Sequence, residues 1–234
     1  MTNTLNETLN ESLDKSWNKF FKKYKSDIDN ILQLYDTETV YPKKEDIFSI
    51  FKSIKLNEIK VIILGQDCYI NEEDGIPQAT GCAFSVPKTH KIPPSLKNIY
   101  KELDETIDDF NIPNHGDLTK WIKQGVFLLN CSLTVEKGKS NSHYKYWKKI
   151  TDNLINYISE KRENIVFILW GNFARDKKKL IIGNHYIIEG VHPSPLSARY
   201  NLKGTDKSFF GNNYFNKTNN YLESKNINLI NWNL

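Results

Sequence analysis

The sequence predicts an α/β fold, a three-layer α/β/α sandwich around a small, mainly parallel four-stranded sheet. Two observations carry this expectation: four short apolar runs that do not alternate with polar residues, and helix-forming stretches between them. Strands buried on both faces read as unbroken apolar runs. Strands separated by helices pair in parallel through right-handed crossovers.

Residues 1–12, rich in Asn and Thr, are expected to be a disordered tail preceding a single domain over 13–234. Leu13, Trp17, Phe20, Phe21 and Tyr24 recur at helical spacing and predict the first packed helix. A second helix is read through IDNILQLYDT, and a third restarts after Pro42 with Ile47, Phe48, Phe51 and Ile54 on one face. The four strands are VIIL (61–64), VFLLN (126–130), IVFILW (165–170) and HYIIEGV (185–191), all read as buried. Helices are expected in PSLKNIYKELDETI, DLTKWIKQG, HYKYWKKITDNLINYISEK and NFARDKKKLI. Lys177, Lys178 and Lys179 read as a solvated helix face.

Composition narrows the class. The chain has 234 residues, 39% of them hydrophobic, enough for one sizeable core. A formal charge of +4 permits a polyanionic partner without demanding one. Cys68, Cys82 and Cys131 are odd in number and lack CxxC spacing, which fits a reducing compartment without disulfides. The five histidines make no paired ligand spacing with them, so no metal is expected. No apolar run approaches bilayer length and the polar start lacks signal-peptide architecture, so the protein is expected to be cytoplasmic, with a nucleus or viral replication site as the alternative, and neither secreted nor membrane-bound.

Ligands of parallel sheets collect beyond the carboxyl ends of the strands. There the sequence places GQDCY after the first strand, Asn130 and CSLTV at the second, GNFA after the third and HPSPLSA after the fourth. Asp67, Asn130 and His192 therefore sit at equivalent strand-end positions of three different strands and are able to converge. Each alone is equally a turn, cap or loop residue. Together they supply a negative charge, a matched donor and acceptor, and a polarising donor, and an amide can read the lactam edge of an exposed base. Tyr69 and Phe84 offer a wall and a stacking floor, or else belong to the core. IPPSLKN, KSNSHYKYW and HPSPLSA combine Ser with helix starts, which suits phosphate oxygens as well as ordinary capping.

Five segments in order resemble the family-1 uracil-DNA glycosylases: GQDCY, ATGCAFSV, IPPSLKNIYKEL, GVFLLNCSLTVEKGKSNSH and HPSPLSA, covering most of the chain after about residue 45. The resemblance implies hydrolysis of the bond between uracil and deoxyribose in single- or double-stranded DNA, leaving an abasic site, with no metal or organic cofactor. It implies that Asp67 activates water and His192 donates to uracil O2. Asn130 would read N3–H and O4, Tyr69 would exclude a C5 methyl, Phe84 would stack, and the Gln66 backbone would bind O2. Leu196 would be the wedge, Ser95, Ser194 and Ser197 would hold phosphates, and Ser142 and His143 would line the site. A monomer is expected, with a replication partner possible.

The chain departs from the family pattern at two places. Family members usually carry Pro and His where Cys68 and Ile70 stand, so water positioning is expected to rest on Asp67 and backbone carbonyls. RYNLKGTDKS (199–208) lengthens the connection after Leu196, either widening the DNA footprint or forming a plain solvent loop. Two other functions fit the same residues: a DNA-binding or replication-associated scaffold with reduced catalysis, and a glycosylase for a different damaged base.

Overall fold

The computed structural model describes residues 13–200 and 208–234. The expected tail over 1–12 and most of the 199–208 loop lie outside the described residues. Four parallel strands form the central sheet: β1 (Val61–Gly65), β2 (Val126–Asn130), β3 (Val166–Trp170) and β4 (Tyr186–Gly190), in the order β2-β1-β3-β4. Every residue of the first three is buried. Because successive side chains in a strand point to opposite faces, complete burial means that both faces are covered.

Register assigns aromatic residues to the two faces. Phe127 of β2 and Phe167 of β3 both align with Ile62 of β1, whereas Trp170 lies three residues past Phe167 and so points the other way. On the first face Trp17 stacks on Phe127 at 5.4 Å and Phe51 meets both rings edge-on. On the second, Trp170 packs against Phe209 and Tyr214. One contiguous apolar cluster runs from Leu13 to Trp232.

The helices are α1 (Asn18–Lys23), α2 (Lys25–Leu32), α3 (Ser49–Ser53), α4 (Pro94–Thr106), α5 (Thr119–Ile122), α6 (Tyr144–Lys161), α7 (Gly171–Arg175) and α8 (Tyr214–Ser224). Asp14 opens the first helical segment by accepting the Ser16 N–H at 2.9 Å. The first expected helix is a 3-10 turn (Lys15–Trp17) running into α1, and the helix expected from Ile28 begins at Lys25 and tightens to 3-10 after Leu32. Pro94 starts α4 at a position whose N–H needs no partner.

Two readings are corrected, and one helix is added to them. The fourth strand is a half-buried edge, because Tyr186, Ile187 and Glu189 keep partial exposure. Lys177 is buried and not solvated, its ammonium held by Asp152 and by the Tyr144 hydroxyl, while Lys178 pairs with Glu189 at 2.7 Å. A further helix, α8, forms in the Asn-rich end, where Tyr214, Phe215, Thr218 and Leu222 bury one face. Among the described residues no helix is long and apolar enough to cross a membrane.

Glu102 of α4 is 0% exposed and spends its carboxylate on the backbone N–H groups of Gly211, Asn212 and Asn213, at 2.6, 3.0 and 2.9 Å. That clamp fixes the segment leading into α8. Glu102→Ala leaves three donors without their acceptor and is expected to lower unfolding stability by about 3 kcal/mol. Urea denaturation checks this, and stability equal to wild type would show that the clamp is replaceable.

Candidate active site

All four strands end at one rim, and a cleft of about 650 Å³ opens there. In-register pairing sets Gly65 directly opposite Asn130. A Cβ at Gly65 would overlap the Asn130 Oδ1, so only glycine lets the amide lie against the end of β1. Asn130 is buried, and its Nδ2 donates to the Cys68 sulfur at 3.5 Å. The Cys68 thiol itself reaches the Leu133 carbonyl at 3.2 Å. Burial pushes all three cysteine thiols up, Cys68 furthest, and none is in a disulfide.

Asp67 lies two residues past β1. Its Oδ2 accepts from the Ser140 hydroxyl at 2.7 Å and from the Asn141 N–H at 2.6 Å. Two backbone bonds bring the loops after β1 and β2 together: Cys131 N–H to the Gly65 carbonyl, and Ser132 N–H to the Gln66 carbonyl. The Tyr69 hydroxyl donates to the Phe84 carbonyl at 3.4 Å, and burial drives it well above the ordinary tyrosine range.

Phe84 adopts φ +64°, a left-handed conformation that costs a bulky residue about 1–3 kcal/mol. Ala83 N–H to the Leu128 carbonyl and Thr80 Oγ1 to the Ser85 carbonyl hold the turn on either side. The result faces the Phe84 ring into the cleft, tilted toward His192 at 6.2 Å. His192 follows β4, and its Nδ1 accepts the Ser194 N–H at 3.0 Å. A backbone N–H can only donate, so Nδ1 carries no proton and Nε2 is the donor. Gly171, with φ +83°, allows the close approach of the His192 Cβ.

Ten of the twelve expected residues line this cleft: Gln66, Asp67, Tyr69, Phe84, Ser95, Asn130, His192, Ser194, Leu196 and Ser197. Leu196 is 84% exposed at its mouth. Ser142 and His143 are not among the lining residues. His143 is buried, with Nδ1 on Thr134 and Nε2 on Glu38, and Ser142 accepts the Glu136 N–H. Both side chains shape the loop behind the cleft. Ser140, Gly171 and Asn172 line it without having been singled out. GNFA follows the third strand, so the strand-end rule itself pointed to the last two.

The order of the parallel sheet and this cleft at its carboxyl end define an α/β protein with its candidate site at the strand ends. A family model described as the uracil DNA glycosylase superfamily matches residues 51–223. A uracil-DNA glycosylase of Francisella tularensis subsp. novicida is 51% identical over 199 residues, 84% of this chain and 86% of that protein, and one from subsp. tularensis matches equally. The crystal structure of mimivirus uracil-DNA glycosylase superposes with a TM-score of 0.86 at 32% identity, covering 97% of this chain and 89% of the other. The chain belongs to the uracil-DNA glycosylase superfamily.

Burial depresses the pKa of His192, and the Asp67 charge opposes that shift. An NMR titration is expected to find His192 neutral at pH 7, protonating below its ordinary value of about 6.5. Asp67→Asn removes the opposing charge and is expected to lower it further. A wild-type value above the ordinary one would contradict burial as the controlling cause.

Proposed function

We propose that this protein hydrolyses the N-glycosidic bond of deoxyuridine extruded from DNA. The observation that carries the reading is a carboxylate, an amide and an imidazole from three strand ends lining one cleft. The protein is an enzyme, a uracil-DNA glycosylase acting in base-excision repair.

The chemistry follows from the groups present. Asn130 offers an acceptor and a donor to uracil N3–H and O4, and cytosine reverses both characters there. The Tyr69 ring crowds C5 against a thymine methyl, and Phe84 stacks on the base. As the C1′–N1 bond breaks, its electron pair leaves with uracil, and the His192 Nε2–H donates to O2 where the charge collects. The Gln66 backbone assists at O2. Asp67 orients a water whose oxygen bonds to C1′, stabilises the cationic sugar, and receives the water's proton, which solvent returns to the uracil anion. A neutral imidazole suits this task, since it donates without having to be discharged first.

Extruding a base from a duplex costs a few kcal/mol. Leu196, an apolar side chain left bare at the mouth of the cleft, fills the vacated stack, and Ser95, Ser194 and Ser197 take backbone phosphates. Free, buried cysteines and bacterial relatives support a cytoplasmic setting. The chain acts as a monomer on single- or double-stranded DNA.

Incubation with a uracil-containing oligonucleotide is expected to yield free uracil and abasic sites. His192→Leu is expected to slow release about 10²–10³-fold. Asp67→Asn should lose cleavage while retaining DNA binding, and Leu196→Ala should lose more on duplex than on single strands. Absence of abasic sites with wild-type protein across salt concentrations would refute the assignment and leave the scaffold reading.

A further inference from the structure

Position 70 gives the cleft nothing polar. Ile70 packs against a small apolar cluster of Tyr41, Cys68, Ala79 and Val135 and is not among the cleft-lining residues. Its backbone carbonyl instead accepts the Gly138 N–H at 2.9 Å, drawing the loop after β2 across the turn that carries Asp67. Two residues further along that loop, Ser140 reaches the cleft wall.

Both donors that Asp67 receives arrive on one oxygen. Ser140 Oγ and the Asn141 N–H both bond Oδ2, and the described residues send no donor to Oδ1. A carboxylate with two free oxygens turns about a broad terminal torsion. Two donors on one oxygen fix its plane and leave the lone pairs of the other for a ligand. The donors are themselves held. Asn141 sits at φ +62°, a conformation asparagine tolerates, which aims its N–H at Asp67. On either side, Lys139 N–H bonds the Glu136 carbonyl, and the Ser142 hydroxyl accepts the Glu136 N–H at 2.8 Å.

We propose that Ser140 is a positioning residue for hydrolysis: together with the Asn141 N–H it fixes the Asp67 carboxylate so that Oδ1 orients the attacking water. The inference rests on the glycosylase reading above. Water bonds to C1′ and yields its proton to Oδ1 as uracil departs, while Oδ2 stays engaged throughout. Ser140 acts through its bond to Asp67, so its contribution is expected in the chemical step and not in DNA affinity. A hydrogen bond to a charged group contributes enough to change a rate by about one order of magnitude.

The test compares wild type, Ser140→Ala and Ser140→Thr in single-turnover uracil release. Affinity is measured in parallel for an oligonucleotide carrying 2′-fluorinated deoxyuridine, which resists cleavage. Ser140→Ala is expected to slow release about 10-fold with affinity and thermal midpoint unchanged, and Ser140→Thr, which keeps the hydroxyl, to restore the rate. Ser140→Ala as fast as wild type overturns the proposal, as does a fall in rate matched by a fall in affinity. A Ser140→Thr variant as slow as Ser140→Ala removes the hydroxyl from the argument. Failure of wild type to release uracil removes the glycosylase reading and this inference together, whereas with an active wild type a change in rate bears on Ser140 alone.

Discussion

The in-register pairing of β1 with β2 is the constraint on which the site depends. It ends with Gly65 opposite Asn130, so the residue that must have no side chain faces the residue whose side chain must be held. A slip of one residue would turn Asn130 to the other face of the sheet and put Cys131 at the rim. Both strands are wholly buried, and such a slip would exchange the side chains packed on Trp17 and Phe51 for those on the opposite face. The aromatic core therefore sets the register, and the register places the Asn130 amide at the rim of the cleft.

From that pair outward the loops after β1 and β2 are joined contact by contact. Backbone bonds link Gly65 with Cys131, Gln66 with Ser132 and Ile70 with Gly138, and the Cys68 thiol and the Asp67 carboxylate add side-chain links between them. The far end of the second loop is anchored by buried polar groups. Trp147 Nε1–H donates to the Thr134 hydroxyl, which leaves the Thr134 O–H for His143 Nδ1 and the His143 Nε2–H for Glu38. Removing any member would strand a buried donor or acceptor. His143 thus supports the loop that presents Ser140 and Asn141, from outside the cleft.

How much of this was legible in the sequence depended on whether the signal was local. The strands were legible because full burial writes an unbroken apolar run, and Asp67, Asn130 and His192 because they lie at or just past the ends of such runs. The edge character of β4 was hidden, since HYIIEGV is apolar enough for a core strand and its neighbours decide its exposure. Helix α8 was obscured by its asparagines, which are weak helix formers, although Tyr214, Phe215, Thr218 and Leu222 carry helical spacing. Lys177 and His143 were misjudged for a shared reason: their partners Asp152 and Glu38 lie 25 and 105 residues away. Ser140 carried no mark of its own, because its meaning arises only when the loop after β2 folds back over Asp67.

The cleft also concentrates features that stability alone would not select. Phe84 holds a left-handed backbone, the Trp170 indole N–H is buried without a hydrogen-bond partner among the described residues, and Leu196 stands bare in solvent. Each is backed by regular structure. The Phe84 turn is bonded to Leu128 of β2, Trp170 closes β3 against Phe209 and Tyr214, and Asn98 of α4 donates to the Pro193 carbonyl at 2.7 Å below Leu196. The backing differs in kind. Phe84 and Asn130 are tied directly into the sheet, where packing permits little displacement. Leu196 is attached through a short turn in which Ser197 and Ala198 both donate to the Ser194 carbonyl. A rigid slot with a projecting apolar tip is the arrangement the proposed reaction calls for: under that proposal the slot would select the ring by shape and hydrogen bonds, and the tip would occupy the place the base has left.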